Sequence, residues 1–186
     1  RNTLGALLDQ QSQAEVMAMI PQFSAAETDN FVPAPAEVPD RLGVLMFNME
    51  RGVHLEEIRE FLRDCPAIQP FDLILANELD DGCFRSGNKN TARELAKAFG
   101  LNYAWGLEFI ELVDERNGKG FHGNAVFSRW PIRRAGVIRL PEQYNWYFDR
   151  QRRIGGRLAV YAELDVGGKP LGAVSIHLEN RTHGAG

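Results

Sequence analysis

The chain has 186 residues, 44% hydrophobic and 25% charged, which is ordinary globular composition and enough to bury one substantial core. Its longest apolar runs, such as residues 73–76 and 159–162, fall far short of the roughly 20 residues needed to cross a bilayer, so no transmembrane segment is expected. The net charge of −4 argues against general affinity for a nucleic acid backbone.

In chain order, residues 3–20 place Leu4, Leu7, Leu8, Val16, Met17 and Ile20 among glutamines, a helical pattern. Pro33, Pro35 and Pro39 follow, and since proline lacks the amide hydrogen and fixes φ, residues 31–40 read as an extended linker. Residues 1–40 are therefore expected to form an N-terminal helix and Pro-rich linker, and residues 41–186 the main domain. There the pattern changes to short strands mixed with amphipathic helices. Residues 42–48 form a nearly continuous apolar run, as in a central strand buried on both faces. Leu55, Ile58, Phe61 and Leu62 have helical spacing, ended by Pro66, and residues 71–78 predict a second buried strand. Thr91 and Glu94 make a capping-box pattern before the helical Ala92, Leu95, Ala96 and Phe99, which Gly100 stops. Further strands are expected at 103–112, 124–128, 136–140, 158–164 and 171–178. Leu158, Val160, Ala162 and Leu164 alternate cleanly, so that strand should pack one face on the core. The fold class is α/β or α+β, a layered sandwich.

Cys65 and Cys83 are the only cysteines, too few for a disulfide framework, and are read as reduced thiols. That fits a cytoplasmic setting without fixing one, and because the chain opens with Arg1 instead of methionine, a removed targeting peptide would be invisible.

Two apolar runs end in polar groups: residues 42–47 deliver Asn48, and 72–76 deliver Asn77 and Glu78. In α/β sheets ligands collect at such strand ends, and a carboxylate with an amide oxygen suits one magnesium ion, which takes few protein carboxylates. The plainer alternative is a pair of strand-end polar groups capping loops. A third run ends at His177, whose imidazole can hydrogen-bond a phosphoryl oxygen. His54, His122 and His183 have no comparable setting and are read as non-catalytic. Residues 129–157 hold eight arginines against Glu142 and Asp149, interleaved with Trp130, Tyr144, Trp146, Tyr147 and Phe148. That mixture suits phosphate contact with ring stacking, or a solvated surface whose aromatics belong to the core.

The segments LGVLMFNMERG, FDLILANELDDG, GFHGNAVFSRWPI and SIHLENRT, in that order over residues 42–182, resemble four successive motifs of the endonuclease/exonuclease/phosphatase superfamily. The resemblance implies a layered α/β/β/α sandwich and a magnesium-dependent phosphoesterase, with manganese as the alternative cation. It implies that Asn48 supports metal and phosphate, that Glu78 ligates the metal and that His177 contacts the scissile phosphate. Asn124 and Ser128 match G-N-x-x-x-S-R, with Asn124 near the site; Arg85, Ser86 and Asn88 in the R-S-G-N segment are substrate-contact candidates, or else a loop leading to a helix cap at Asn90 or Thr91.

The family's later G-D-x-N motif and terminal aspartate-histidine pair do not occur in the chain. The expectation is therefore an N-terminal portion of the domain, inactive or nearly so alone. Its exposed sheet, lined by Leu171 and Ala173 or by Val174 and Ile176, would be covered by the missing C-terminal half or a partner chain. The alternatives are a non-catalytic binding or scaffolding domain that retains the fold, and a nucleic-acid-binding module using residues 129–157. The substrate, nucleic acid, phospholipid or sugar phosphate, stays open.

Overall fold

A computed structural model describes residues 2–8, 10–142, 145–149 and 151–179. Tyr144, Arg150, His183 and the last three residues of SIHLENRT lie outside the described residues.

The N-terminal pattern forms two helices instead of one, α1 (Asn2–Leu8) and α2 (Gln13–Ala18). Ser12 starts the second through a capping box: its Oγ accepts from the Glu15 amide, and the Glu15 carboxylate accepts from the Ser12 amide at 2.8 Å. Val16 and Phe23 are buried. Strand β1 (Glu27–Asp29) lies ahead of the prolines and pairs antiparallel with residues 103–105. The expected boundary at residue 41 is thus not the edge of the sheet. Residues 31–40 do run without regular structure.

The next strands are β2 (Val44–Arg51), β3 (Leu73–Asp81), β4 (Asn102–Glu111) and β5 (Phe121–Ser128). Helix α3 (Leu55–Asp64) links the parallel pair β2 and β3, and α4 (Thr91–Phe99) precedes β4. The cap of α4 is Asn90, whose side chain accepts from the Arg93 amide. Thr91 is diverted from the expected capping box by donating to the Asp80 carbonyl at 2.8 Å. The first sheet has the order β1-β4-β5-β3-β2, with a later strand, residues 153–155, pairing the far half of β4.

The second sheet is β6 (Ile132–Arg139), then β8 (Leu158–Val166) and β9 (Lys169–Ile176), in that order; between β6 and β8 lie α5 (Trp146–Asp149) and β7 (Arg153–Gly155). All four alternating residues expected of β8 are buried, against Leu73, Ala104 and Val126 of the first sheet. The helices cover the first sheet's other face, where Leu62, Leu95, Leu79 and Phe127 share a core.

Two surfaces follow from this stacking. The apolar run at 42–48 proves to be an edge strand: Leu45 and Phe47 pack toward the helices, but Val44 and Met46, on the opposite face, are exposed, Met46 by 74%. The second sheet lies mainly over β3, β4 and β5, so a continuous apolar run here does not mean burial on both faces. On β9, Ala173 turns into the inter-sheet core while Val174 and Ile176 are exposed. Among the described residues no helix covers that outer face, and none is long and apolar enough to cross a membrane.

Candidate active site

The carboxyl end of the parallel pair is where the backbone becomes irregular. Asn48 stands in register with Asn77, and both strands slip just beyond them: β2 between Asn48 and Arg51, β3 between Ala76 and Leu79. Glu50, Arg51 and Gly52 are left-handed in succession, at φ 45°, 67° and 67°, and Glu78 is left-handed at 60°. Such conformations cost roughly 1–3 kcal/mol for a non-glycine residue and persist only where surroundings hold them. Here Glu50 N donates to Asn48 Oδ1 at 3.0 Å, Gly52 N to the Met49 carbonyl at 2.8 Å, and Glu78 N to Asn124 Oδ1 at 3.1 Å. Gly52 has a second constraint, since a Cβ there would lie 2.8 Å from Thr91.

The second sheet is tied to this same end. Buried Ser175 donates to the Ala76 carbonyl at 3.0 Å and to Asn77 Oδ1 at 3.2 Å, and Asn77 Nδ2 donates to the Ile176 carbonyl at 3.3 Å. The residue after Ile176 is His177, which is thereby brought beside Glu78, Nε2 to Oε1 3.8 Å. Asn48, Glu78 and His177 thus share one end of the sandwich, with Asn124 fully buried behind Glu78. Among the described residues the Glu78 carboxylate accepts no hydrogen bond, and its side chain is 22% exposed.

Sequence reasoning missed Glu108. It is fully buried in β4; its Oε1 accepts from Arg157 Nη1 at 2.9 Å, and its Oε2 lies 3.6 Å from His177 Nδ1 and 3.7 Å from His122 Nε2, with no hydrogen bond among the described residues. Burial works to raise its pKa, but His177, His122 and Arg157 outweigh burial and hold it below the ordinary glutamate value. Arg157 Nη1 also approaches His177 Nδ1 at 3.0 Å. The available signal was a charge inside an otherwise apolar strand, since such a residue must find partners.

Behind Glu108, His122 is buried with Nδ1 2.9 Å from Asp80 Oδ1. Asp80 also takes two hydrogen bonds from Arg85, at 2.7 and 2.9 Å, and one from Ser86 Oγ at 3.2 Å. Burial alone would raise Asp80, yet the bonds from Arg85 and His122 leave it below the ordinary aspartate value. Arg85 continues to Glu111 at 3.2 Å, so its guanidinium is engaged within the protein. Asn88 joins two loops, donating to the Arg116 carbonyl and accepting from Gly118 N. Among the described residues neither has a hydrogen bond or ion pair with Glu78 or His177, and Ser128 is buried, its Oγ accepting from Trp130 N.

The arginine segment is similarly occupied. Arg129 pairs with Asp72, Arg133 with Asp165, Arg134 with Glu163, Arg153 with Glu111, and Arg157 with Glu108 and Glu179. Arg139 is half-buried and donates to the carbonyls of Phe23 and Gly156; loss of solvent brings its pKa down to about 10. Trp130 is buried, and Trp146 stacks against Arg153. Most of these arginines pair within one sheet, and Arg129 and Arg134 remain exposed beside their partners.

Among the described residues no three His, Cys, Asp or Glu side chains gather into a metal cage. A hard cation with a mostly aqueous shell needs less: one unencumbered carboxylate and a neighbouring amide oxygen, the donors Glu78 and Asn48 offer.

No protein-family model and no curated protein matches the chain. Two solved structures share its fold. An endonuclease/exonuclease/phosphatase from Beutenbergia cavernae DSM 12333 superposes with a TM-score of 0.53 at 24% identity, over 76% of this chain and 39% of that one. An endonuclease/exonuclease/phosphatase family protein from Leptotrichia buccalis C-1013-b gives 0.51 at 19% identity, over 75% of this chain and 55% of that one. The chain therefore spans about two fifths and just over half of the two proteins it matches, and within that span it has the fold of the endonuclease/exonuclease/phosphatase superfamily.

Proposed function

We infer that the protein to which this chain contributes is a metal-dependent phosphoesterase that hydrolyses a phosphomonoester or phosphodiester by in-line attack of water. The observation that carries this reading is the meeting of Glu78 and His177 at 3.8 Å, beside Asn48, on strand ends held by Asn124, Asn77 and Ser175. A carboxylate free of hydrogen bonds beside an imidazole and an amide is a poor way to stabilise a fold and a good way to hold a cation and a phosphate.

Glu78 and Asn48 would hold a magnesium or manganese ion, which when bound supplies Lewis-acid polarisation of a phosphoryl oxygen. His177 accepts from Arg157 through Nδ1, which leaves the ring hydrogen on Nε2, facing the Glu78 side. From there it donates to a phosphoryl oxygen as charge develops. Asn124 keeps Glu78 in its left-handed conformation and so directs the carboxylate away from the strand. Among the described residues none is assigned the orientation of the attacking water, and residues 1–186 alone are expected to turn over substrate slowly or not at all.

The nucleic-acid-module alternative would use arginines that already carry carboxylate partners at Arg129, Arg134 and Arg157, of which Arg129 and Arg134 stay exposed. The test is a panel of phosphomonoesters and phosphodiesters with magnesium, on the full-length protein and its Glu78→Gln and His177→Ala variants. Turnover that needs magnesium and is lost in both variants supports the reading. Folded, inactive wild type across the panel would favour a binding or scaffolding domain.

A further inference from the structure

Glu108 Oε2 is the unusual atom of this molecule. Among the described residues it is a fully buried carboxylate oxygen without a hydrogen bond, set between two imidazole nitrogens at nearly equal distance, His177 Nδ1 at 3.6 Å and His122 Nε2 at 3.7 Å. A buried carboxylate oxygen without a donor is costly, and a small movement would let it accept from His122 Nε2; His177 Nδ1, which accepts from Arg157, has no hydrogen to offer it. His122 cannot swing away. Its other nitrogen is 2.9 Å from Asp80, which Arg85 and Ser86 hold in turn, and its ring stacks on Phe109. An imidazole between two carboxylates offers a hydrogen to each only when both nitrogens carry one.

We propose that His122 is a positioning residue: anchored by Asp80, it holds the Glu108 carboxylate through Nε2, and Glu108 together with Arg157 then fixes the tautomer and orientation of His177. This rests on the phosphoesterase reading for its catalytic consequence, but not for its geometry. The alternative is structural, that His122 serves only to satisfy the buried Asp80.

The two nitrogens allow a direct separation. Asparagine places its amide nitrogen near the Nδ1 position, so His122→Asn keeps the Asp80 bond and loses the approach to Glu108. Glutamine places its amide nitrogen near the Nε2 position, so His122→Gln keeps Glu108 and loses Asp80. In the full-length protein with magnesium and bis(p-nitrophenyl) phosphate, His122→Asn should lower kcat by about 10- to 100-fold with KM nearly unchanged, the size typical when an outer partner of a site is lost. His122→Gln should stay within about threefold of wild type, even though it is the less stable of the two in thermal melts, having left Asp80 short of a donor. A purely structural role predicts the reverse order, with asparagine the better replacement by every readout. The second readout needs no activity: ¹⁵N chemical shifts of His177 at one pH report which ring nitrogen carries the hydrogen. They should change in His122→Asn and not in His122→Gln. If wild type shows no turnover, the phosphoesterase reading fails while the shifts still decide the coupling. Unchanged His177 shifts in a folded His122→Asn protein would overturn the proposal.

Discussion

Replacing Asp80 with alanine removes the acceptor on which Arg85, Ser86 and His122 converge. Asp80 is fully buried, and its two oxygens take bonds of 2.7 to 3.2 Å from these three side chains. Breaking one side of a buried ion pair typically costs about 3–5 kcal/mol, because the abandoned charge stays behind. Arg85 is 32% exposed, so water and Glu111 recover part of that loss, and the lower end, about 3 kcal/mol, is expected. With a urea slope near 2 kcal/mol per molar, the unfolding midpoint should fall by about 1.5 M. The pH dependence is a second check. A carboxyl held below its unfolded value adds stability that is complete above that value, here 3.8, and is lost as pH falls through the lower folded one. The difference between wild type and Asp80→Ala should therefore be steady near neutral pH and shrink as the pH drops below 3.8. A midpoint shift under about 0.5 M, or a difference that persists in acid, would show that the cluster does not hold the fold.

Other perturbations separate the site from its scaffold. Glu78→Gln should abolish magnesium-dependent turnover while the melting temperature stays within a few degrees, since no hydrogen bond to the carboxylate is lost; full activity would remove Glu78 from the metal site. Asn124→Ala takes away the acceptor for the Glu78 amide, so magnesium affinity measured by calorimetry should weaken about 10-fold or more, and unchanged affinity would mean the left-handed Glu78 needs no support. Binding to duplex DNA, followed by fluorescence anisotropy against salt, should be weak with a log-log slope smaller than about 2; a slope of 6 or more would mean the paired arginines open toward phosphate.

The parts of this molecule that a sequence exposes are those set by neighbours along the chain. Helix α3 ends before Pro66, α4 stops at a left-handed Gly100, and β8 alternates because one face is buried. The strand-end residues Asn48, Glu78 and His177 are legible for the same reason, as polar groups terminating apolar runs. What supports them is not local. Arg157 finds Glu108 across 49 residues, His122 finds Asp80 across 42, and Arg129 finds Asp72 across 57. A charge run whose partners are this distant reads as unpaired from sequence, and the Asp80 and Glu111 partners of Arg85 are equally invisible there. The edge position of β2 is hidden likewise, because an apolar run reports hydrophobicity and not which strands lie above it.

The left-handed residues show where the two kinds of information meet. Glycine at 52 marks one of them, but Glu50, Arg51 and Glu78 adopt the same region without any local preference for it. A carboxylate-bearing residue accepts that conformation only if something outside the strand holds it, and for Glu78 the holder is the amide of Asn124, delivered by a different strand. Strain and support are thus supplied by separate segments of sequence, FDLILANELDDG and GFHGNAVFSRWPI, that resemble the superfamily's motifs one at a time. Their joint presence in the same chain is what gives each a physical reason: the asparagine of one is useful only if the other strand slips at Ala76 and turns its glutamate out of the sheet.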